Sequence, residues 1–345
     1  MKRINETQLH KFLQELIDKD KLYGVEDIRW EKLKKVPSLE LPVGPRLLSP
    51  KEIIHPQDET LFIHDGEKIQ PPSMPKEKIV WGIRPCDAKA LQLIDKVFLE
   101  TDPIDPYYKE RRDAAVFISV ACTKLLPTCF CTTFDSEAPF KLYGADILLL
   151  PLDGHFYVLD ENERGKKITK DWEEVTELPQ DFEKIKNQLI TELENTSPSV
   201  ADLKELLKEK FNDFDFWKEL GYSCLGCGIC TYLCPTCYCF DIATEKIANR
   251  VRRARYWDSC QFALFTLEAS GHNPRPTQHH RIRQRFMHKL SFFPERYNEY
   301  LCTGCGRCIT NCPAGIDIRE LIESAKRKTK NEKHKMKNAK QKGKR

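Results

Sequence analysis

The chain has 345 residues, of which 40% are hydrophobic and 31% are charged, a balance that excludes a disordered or fibrous protein. Its apolar runs have the length of strands, which excludes membrane insertion, and its length favours two domains. The N-terminal stretch also lacks the apolar core of a secretory signal. Fifteen cysteines in such a chain indicate metal sites rather than disulfides, so we expect a cytoplasmic protein.

The first half of the sequence alternates between strand and helix patterns. Residues 77–83 and 114–122 are predicted to be buried strands, and residues 87–99 between them carry apolar side chains at helical spacing. Apolar runs on both sides of Asp153-Gly154 predict a β-hairpin. We therefore predict an α+β fold whose N-terminal domain, residues 1–198, is of mixed α/β type.

The second half of the sequence has helical patterns and contains most of the cysteines. The segment NTSPS at 195–199 separates two amphipathic stretches, and we place the domain boundary there. Residues 199–325 are then predicted to form a mainly helical domain. A third segment, residues 326–345, holds eleven Lys or Arg and one Glu, so it carries +10 in a chain whose total is +4. Its low apolar content predicts a disordered, solubilising tail.

Two cysteine motifs share the spacing C-x2-C-x2-C-x3-C-P, namely CLGCGICTYLCP at 224–235 and CTGCGRCITNCP at 302–313. In such a motif three cysteines ligate one [4Fe-4S] cluster and the fourth ligates the other cluster. Structural zinc is the main alternative, but zinc has no use for a crossed fourth cysteine. The sequence therefore predicts two [4Fe-4S] clusters, the first with Cys224, Cys227, Cys230 and Cys312, and the second with Cys302, Cys305, Cys308 and Cys234.

The crossed ligands predict how the chain is arranged between the motifs. Because Cys234 and Cys312 cross between the two sites, the 67 residues between Cys234 and Cys302 must begin and end at one place. These residues are predicted to be a long insertion into a ferredoxin-like core. Four glycines in the motifs are expected to bend the backbone and to direct N–H groups at the sulfurs: Gly226, Gly228, Gly304 and Gly306.

Four more cysteines lie in the N-terminal half. Cys86 and Cys122 lie at the ends of predicted strands, where loops gather ligands. Cys129 and Cys131 form the sequence CFC, which in an extended segment directs both sulfurs to one side. We predict that these four cysteines bind a third [4Fe-4S] cluster. The alternative is that they are buried thiols that pack as small hydrophobic residues.

Three cysteines remain, Cys237, Cys239 and Cys260. The sequence leaves three roles open for them. Each could be a ligand at the third site, a ligand in another centre that also has a non-cysteine ligand, or a packing residue.

The chain has no motif for nucleotide binding or for nucleophilic catalysis. Neither G-x-G-x-x-G nor G-x4-G-K-[ST] is present, and we assign no catalytic residue. Several one-electron centres without substrate chemistry predict an electron relay. The segment 271–289 is rich in Arg and His, which indicates a charge that tunes a cluster, a contact with a flavin phosphate, or a basic face that is solvated or paired between domains. Its four histidines are not predicted to be ligands: His272, His279, His280 and His288.

The segments that carry a family resemblance are the two cysteine motifs, GIRPCDAKALQLIDKVFL (82–99), CFCT (129–132), RYWDSCQF (255–262) and GHNPRPT (271–277). They resemble the iron-sulfur beta subunit of cytoplasmic [NiFe] sulfhydrogenases. They are also similar to an iron-sulfur subunit of anaerobic sulfite reductase and to iron-sulfur subunits of flavin oxidoreductases coupled to heterodisulfide reductase. The resemblance covers about residues 77–320. The basic tail has no counterpart in the family pattern.

The resemblance implies an electron-transfer subunit between an FAD-containing, NAD(P)H-binding subunit and a terminal subunit. It implies that the eight motif cysteines are ligands, and the family pattern also has cysteines that match Cys86, Cys122, Cys129 and Cys131. Pro85 is closer to the sulfite-reductase and flavin-oxidoreductase branches, whereas WDSCQF and GHNPRPT are closer to the sulfhydrogenase. The terminal subunit is therefore of the [NiFe] hydrogenase, siroheme or heterodisulfide-reductase type. Binding of nucleic acid through the basic segments is a remote alternative.

Overall fold

The computed structural model describes residues 1–327, so most of the expected basic tail at 326–345 lies outside the described residues. The predicted α+β class is confirmed. The described strands are β1 (Lys2–Asn5), β2 (Leu22–Val25), β3 (Trp30–Lys32), β4 (Asp58–His64), β5 (Ile69–Gln70), β6 (Lys78–Ile83), β7 (Ala115–Val120), β8 (Ile147–Leu152), β9 (His155–Glu161), β10 (Glu173–Glu174), β11 (Phe240–Ile247) and β12 (Arg250–Trp257).

The helices surround these strands and fill most of the second half. They are α1 (Glu6–Asp18), α2 (Pro85–Phe98), α3 (Pro106–Ala114), α4 (Glu163–Ile168), α5 (Asp181–Glu194), α6 (Leu203–Glu209), α7 (Phe214–Gly221), α8 (Ile229–Tyr232), α9 (Gln278–Met287), α10 (Phe293–Tyr297), α11 (Arg307–Thr310) and α12 (318 to 327). Shorter turns are the 3₁₀ helices Pro50–Ile53, Cys131–Thr133 and Ala138–Phe140 and the π-helical turn His288–Phe292.

Eight strands form one mixed sheet in the order β10-β1-β9-β8-β7-β6-β2-β3. Its centre is parallel, since β7 pairs in parallel with both β6 and β8. All six residues of β7 are buried, as expected for a strand covered on both faces. The predicted hairpin is present between β8 and β9, where Asp153 and Gly154 both have positive φ, as a tight two-residue turn requires.

Helix α2 connects the large sheet to the cysteine-rich half. Its residues Leu91 and Ile94 pack in the apolar core that includes the sheet residue Phe117. Leu93, on another face of the helix, packs against Phe293 and Leu301 from the second half. Because Cys86 is the second residue of α2, this packing determines where that thiol lies relative to the cysteine motifs.

A second sheet has four strands in the order β11-β12-β4-β5. Strands β11 and β12 form a hairpin within the insertion, and β12 pairs antiparallel with β4 from the N-terminal half. Arg255 of β12 forms a buried ion pair with Glu59 and a partly buried one with Asp105, so charge as well as backbone hydrogen bonding joins the two halves. This hairpin departs from the mainly helical second half that the sequence pattern predicts, because its strands complete their pairing with β4 from the other half of the chain.

Helices α7, α9 and α12 pack around the motifs through a shared apolar core that includes Trp217, Phe286 and Ile322. The insertion returns to its starting point as expected, because the Thr236 hydroxyl donates a hydrogen bond to the Leu301 carbonyl at 2.8 Å. Among residues 1–327, no helix combines the length and the apolar character that crossing a bilayer requires.

Candidate metal centres

The first cavity joins the two cysteine motifs. Its lining contains the first three cysteines of the first motif and the last cysteine of the second motif: Cys224, Cys227, Cys230 and Cys312. Cys308 of the second motif also reaches this lining, and it lines the second cavity as well. Backbone N–H groups point at two of these sulfurs, with Gly226 donating to Cys224 Sγ at 3.5 Å and Ile316 donating to Cys312 Sγ at 3.3 Å. The amide of Gln278 donates to Cys224 Sγ at 3.1 Å. The structure therefore brings together the four residues predicted for the first cluster.

In the second cavity the two motifs exchange their contributions. It is lined by the first three cysteines of the second motif and the last cysteine of the first: Cys302, Cys305, Cys308 and Cys234. Burial raises the pKa of the Cys302 and Cys305 thiols, and it raises that of Cys308 to about 12. Thiols in such surroundings become thiolates only when a cation or metal binds them, so metal binding at this site releases protons.

Two glycines of the second motif permit a close contact between distant segments. Gly304 has φ of +63°, and a Cβ added there would lie 2.4 Å from the Phe130 carbonyl oxygen. Gly306 has φ of +74°, and its Cβ would lie 2.5 Å from the Thr128 carbonyl oxygen. Both the backbone conformation and the space therefore require glycine. The result is that the CFC segment lies directly against the second motif.

The position of Arg285, in α9, shows whether the two cavities suit a negatively charged group. It lines both cavities, is 6% exposed, and its Nε has no hydrogen-bond partner within residues 1–327. Burial opposes its charge, but the nearby Cys230 and Cys308 thiolates raise its pKa above the usual value. A buried guanidinium between two thiol-lined cavities fits [4Fe-4S] clusters, whose thiolate-ligated form is negatively charged.

Lys289 is the second buried cation at these sites. Its Nζ donates to Cys234 Sγ at 3.2 Å, to Thr236 Oγ1 at 2.9 Å and to the Leu301 carbonyl at 3.2 Å. Although burial opposes the charge, the thiolates around Lys289 raise its pKa well above the usual value. A hydrogen bond from the Cys237 thiol, together with Lys289, holds the pKa of Cys234 well below its ordinary value.

A single zinc ion suits this geometry poorly. Zinc requires four donors about 2.1 to 2.3 Å from one point. Among the described residues, no three His, Cys, Asp or Glu side chains form a group that could hold one metal ion. The thiols instead surround cavities, which is the arrangement that a multi-iron cluster requires.

The four cysteines of the N-terminal half are coupled electrostatically. The negative charge of the Cys122 thiolate contributes to raising the pKa of Cys86, Cys129 and Cys131, after burial, which is the largest cause. The negative charge of the Cys305 thiolate, in the second motif, also contributes to raising the pKa of Cys86, Cys129 and Cys131. The thiols of these four residues thus influence one another and Cys305 electrostatically, and the packing of the Phe130 and Cys131 backbone on Gly304 places the CFC segment beside the second motif.

The local structure around these cysteines differs in part from expectation. Cys86 follows β6 and Cys122 follows β7, as the strand pattern predicted. Cys131, however, begins a 3₁₀ helix, so the CFC segment is not extended throughout. Arg84, which is 7% exposed, donates to the Val120 and Ala121 carbonyls at 3.2 and 3.1 Å and thereby holds the two strand ends together.

The remaining three cysteines lie between the cavities and the hairpin. Cys237 contacts Cys234, and the thiols of Cys239 and Cys260 contact each other at the base of β11 and β12. The hydrogen bond from Cys239 lowers the pKa of Cys260 to about 6. None of the three lines either cavity.

Lys51 is a functional candidate that the sequence analysis missed. It is 2% exposed, donates to the carbonyls of Cys234 and Cys237 at 2.9 and 2.8 Å, and lies 4.1 Å from the Trp257 ring centroid. Burial lowers its pKa to about 8. No sequence signal indicates this role, because Lys51 lies 183 residues from Cys234 and outside any cysteine motif.

The basic segment 271–289 lies directly beside the cavities. Gln278, Arg285 and Lys289 from it face the cysteines. Its histidines have other partners: His288 Nε2 lies 3.0 Å from the Tyr238 hydroxyl, and the His279 ring lies 2.9 Å from the Thr277 hydroxyl. The position of Arg285 and Lys289 is compatible with tuning of a cluster, and their contacts with other parts of the chain are equally compatible with an interdomain-paired basic face. Contact with a flavin phosphate stays a prediction.

Two comparisons with known proteins agree with this geometry. Residues 223–316 match the family described as a 4Fe-4S dicluster domain. Subunit beta of sulfhydrogenase 2 from Pyrococcus furiosus is 30% identical over 331 residues, which cover 92% of this chain and 95% of that protein. No solved structure matches the chain.

Proposed function

Because the chain belongs to the family of iron-sulfur beta subunits of sulfhydrogenases, we propose that it relays single electrons between an FAD-containing, NAD(P)H-binding subunit and a terminal subunit of an anaerobic oxidoreductase complex. The chain is an electron-transfer subunit with a [4Fe-4S] dicluster domain at 223–316. The partners and the number of clusters are the proposed part.

The crossed lining of the two cavities is the observation that carries the proposal. Cys312 lines the cavity of the first motif, and Cys234 lines that of the second. A [4Fe-4S] cluster supplies one-electron redox chemistry when it is bound. We propose the eight motif cysteines as its ligands at the two sites, in the sets that the spacing predicted.

Buried cations support a redox role for these sites. Arg285 lies between the two cavities and Lys289 donates to Cys234. Both side chains stabilise negative charge, and a site that accepts an electron gains negative charge. They therefore favour the reduced state.

A third [4Fe-4S] site is proposed at Cys86, Cys122, Cys129 and Cys131. Its support is the direct packing of the CFC segment on Gly304 and the hydrogen bonds of Arg84 to the carbonyls at the end of β7, next to Cys122. The third site would therefore adjoin the second motif. Cys237, Cys239 and Cys260 are not needed as ligands in this arrangement.

The terminal subunit is proposed to be of the [NiFe] hydrogenase type. The relative from Pyrococcus furiosus is a sulfhydrogenase subunit, and the motifs WDSCQF and GHNPRPT agree with that branch. The same relay in an anaerobic sulfite reductase or in a flavin oxidoreductase linked to heterodisulfide reductase is the second candidate, which Pro85 favours. A cytoplasmic location stays a prediction.

Iron and sulfide quantitation combined with EPR on anaerobically purified chain tests the proposal. We expect about twelve irons per chain, or four for each of three clusters, and a reduced-cluster EPR signal after reduction. A content of about eight irons per chain would mean that only two clusters are bound and that the third site is wrong. High iron without any reducible signal would mean structural clusters and would refute the relay. The subunits that co-purify with the chain identify the branch.

A further inference from the structure

An exposed apolar surface lies next to the first cavity. Tyr222, Leu225, Leu264 and Leu267 are 93%, 71%, 74% and 47% exposed, and we call this set the apolar face. Single exposed apolar side chains are normal in soluble proteins, but a contiguous group marks an interaction surface.

The members of the apolar face come from two loops that pack against each other. A Cβ on Gly228, in the first motif, would lie 2.7 Å from the Phe262 ring. Leu264 follows Phe262 by two residues, and the Leu267 N–H donates to the Leu264 carbonyl at 3.0 Å. The loop that carries both leucines is thereby held against the motif loop that carries Leu225, which itself lines the first cavity.

The first site is also the one that opens to solvent. Of the eight motif cysteines, Cys227 alone is exposed, whereas Cys234 at the second site is buried. An electron that enters or leaves through the motif cysteines therefore has its shortest path to the surface at Cys227, beside the apolar face.

Arginines of helix α9 lie beside this surface: Arg281 donates to Gln278 Oε1, the atom that a Cβ on Gly226, next to Leu225, would approach to 2.8 Å. Residues 259–289 contain five Lys or Arg and one carboxylate, although the chain without its basic tail carries a net negative charge. Arg281 bonds to backbone carbonyls and to Gln278, and Arg283 bonds to the Phe211 carbonyl and lies over two aromatic rings. Within the described residues, the hydrogen-bond acceptors of these two arginines are thus not carboxylates. Their positive charge can therefore attract carboxylates of another subunit.

We propose that the apolar face and its arginine border are the docking surface for a redox subunit whose own contact surface combines apolar side chains with carboxylates. Stable interfaces combine an apolar centre with a polar rim, and complementary charge at the rim speeds association. The inference rests on the proposed relay function and adds the place where the electrons cross between subunits.

Two substitutions outside the cavity linings test the docking surface in the assembled complex. The complex is purified anaerobically through a tag on this chain carrying Y222E or L264E, and the ratio of each known subunit to this chain is measured. The matched controls are I69E and M74E, at side chains that are 66% and 69% exposed on other parts of the chain. We expect one subunit to associate about tenfold more weakly with the Y222E or L264E chain than with the wild-type chain. Its association with the I69E and M74E chains should equal that with the wild type.

The subunit that is released identifies which subunit binds the apolar face. Hydrogen exchange then checks where on this chain that subunit binds. Residues 259–273 are expected to exchange more slowly in the wild-type complex than in the free chain. Wild-type subunit ratios in Y222E and L264E, or equal loss in I69E and M74E, would overturn the docking surface. Iron content and the reduced EPR signal of the same preparations separate this failure from failure of the relay, because they report on the clusters without any partner.

Discussion

Arg307 and Asp87 form a buried ion pair that connects the second cysteine motif with helix α2. Arg307 Nη1 lies 2.7 Å from Asp87 Oδ1, Nη2 donates to Oδ2 at 3.0 Å, and the side chains are 2% and 1% exposed. Arg307 lies between Cys305 and Cys308, and Asp87 follows Cys86. The pair therefore fixes the position of the proposed third site relative to the second site.

Removal of one member of this pair is expected to destabilise the chain strongly. D87N leaves the Arg307 charge buried without a counter-charge, which costs about 3 to 5 kcal/mol. The control is R3Q, which breaks an exposed pair with Glu173 and costs about 0 to 1 kcal/mol. Thermal unfolding of anaerobic protein measures the difference. Equal unfolding temperatures for the two variants would mean that the buried pair does not hold these segments together.

Lys289 is expected to control the reduction potential of the second site. K289M removes the charge and the hydrogen bond to Cys234 Sγ, so the reduced state loses stabilisation. A fall of roughly 60 mV, about 1.4 kcal/mol for one electron, is expected for one cluster and little change for the other.

An EPR-monitored redox titration measures this potential. K289Q, which keeps a donor without the charge, separates the two contributions, and K218Q changes an exposed lysine as the control. Unchanged potentials in K289M, with iron content at the wild-type level, would contradict the assignment of Lys289 to the second site.

The four N-terminal cysteines are expected to account for four of the irons. C86S and C129S should each lower the iron content from about twelve to about eight per chain, with the EPR signals of the motif clusters retained. T132A, which removes a hydroxyl 2.7 Å from Ser197 beside the CFC segment, is the control for local damage. If C86S and C129S kept the full iron content, the third site would be wrong and these thiols would be packing residues.

His288 is expected to make the chain less stable in mild acid. Burial lowers its pKa to about 4, with Lys289 and Arg275 adding to the effect. The unfolded state, with an ordinary histidine pKa of about 6.5, binds the proton more readily, so stability present above that pH is lost as the pH falls toward 4. The loss between about pH 7 and pH 5 is roughly 2 kcal/mol.

The H288N variant isolates this contribution. Its unfolding temperature should depend less on pH between about pH 7 and pH 5 than that of the wild type. H10N, at an exposed position, should behave as the wild type does. The same pH dependence in H288N and in the wild type would show that His288 does not carry the effect.

Local sequence patterns predicted the elements that carry the cysteines. Strands β6 and β7, helix α2 and the hairpin at Asp153 appear where period and turn chemistry placed them. The crossed sets followed from spacing alone, because four cysteines and a proline in one short run restrict how the backbone wraps a cluster. Cys234 and Cys312 accordingly line the opposite cavities.

Long-range relationships were not predictable from these patterns. The pairing of β12 with β4, the approach of Lys51 to Cys234 and the pair of Arg307 with Asp87 each join residues far apart in the chain. The charges that serve these contacts look like ordinary surface residues in the sequence, since burial is a property of the packed fold. Sequence therefore predicted which motif cysteines line each cavity together, but not the buried cations beside them.

If this chain is a relay, electrons pass through it while the complex turns over. Freeze-quench EPR of the anaerobic complex, mixed with NADPH or NADH, follows this passage. We expect reduced-cluster signals from this chain to appear as fast as, or faster than, reduction of the terminal site, and to decline when the terminal substrate is added. Turnover of the terminal site while the clusters of this chain stay oxidised or respond more slowly would contradict the relay.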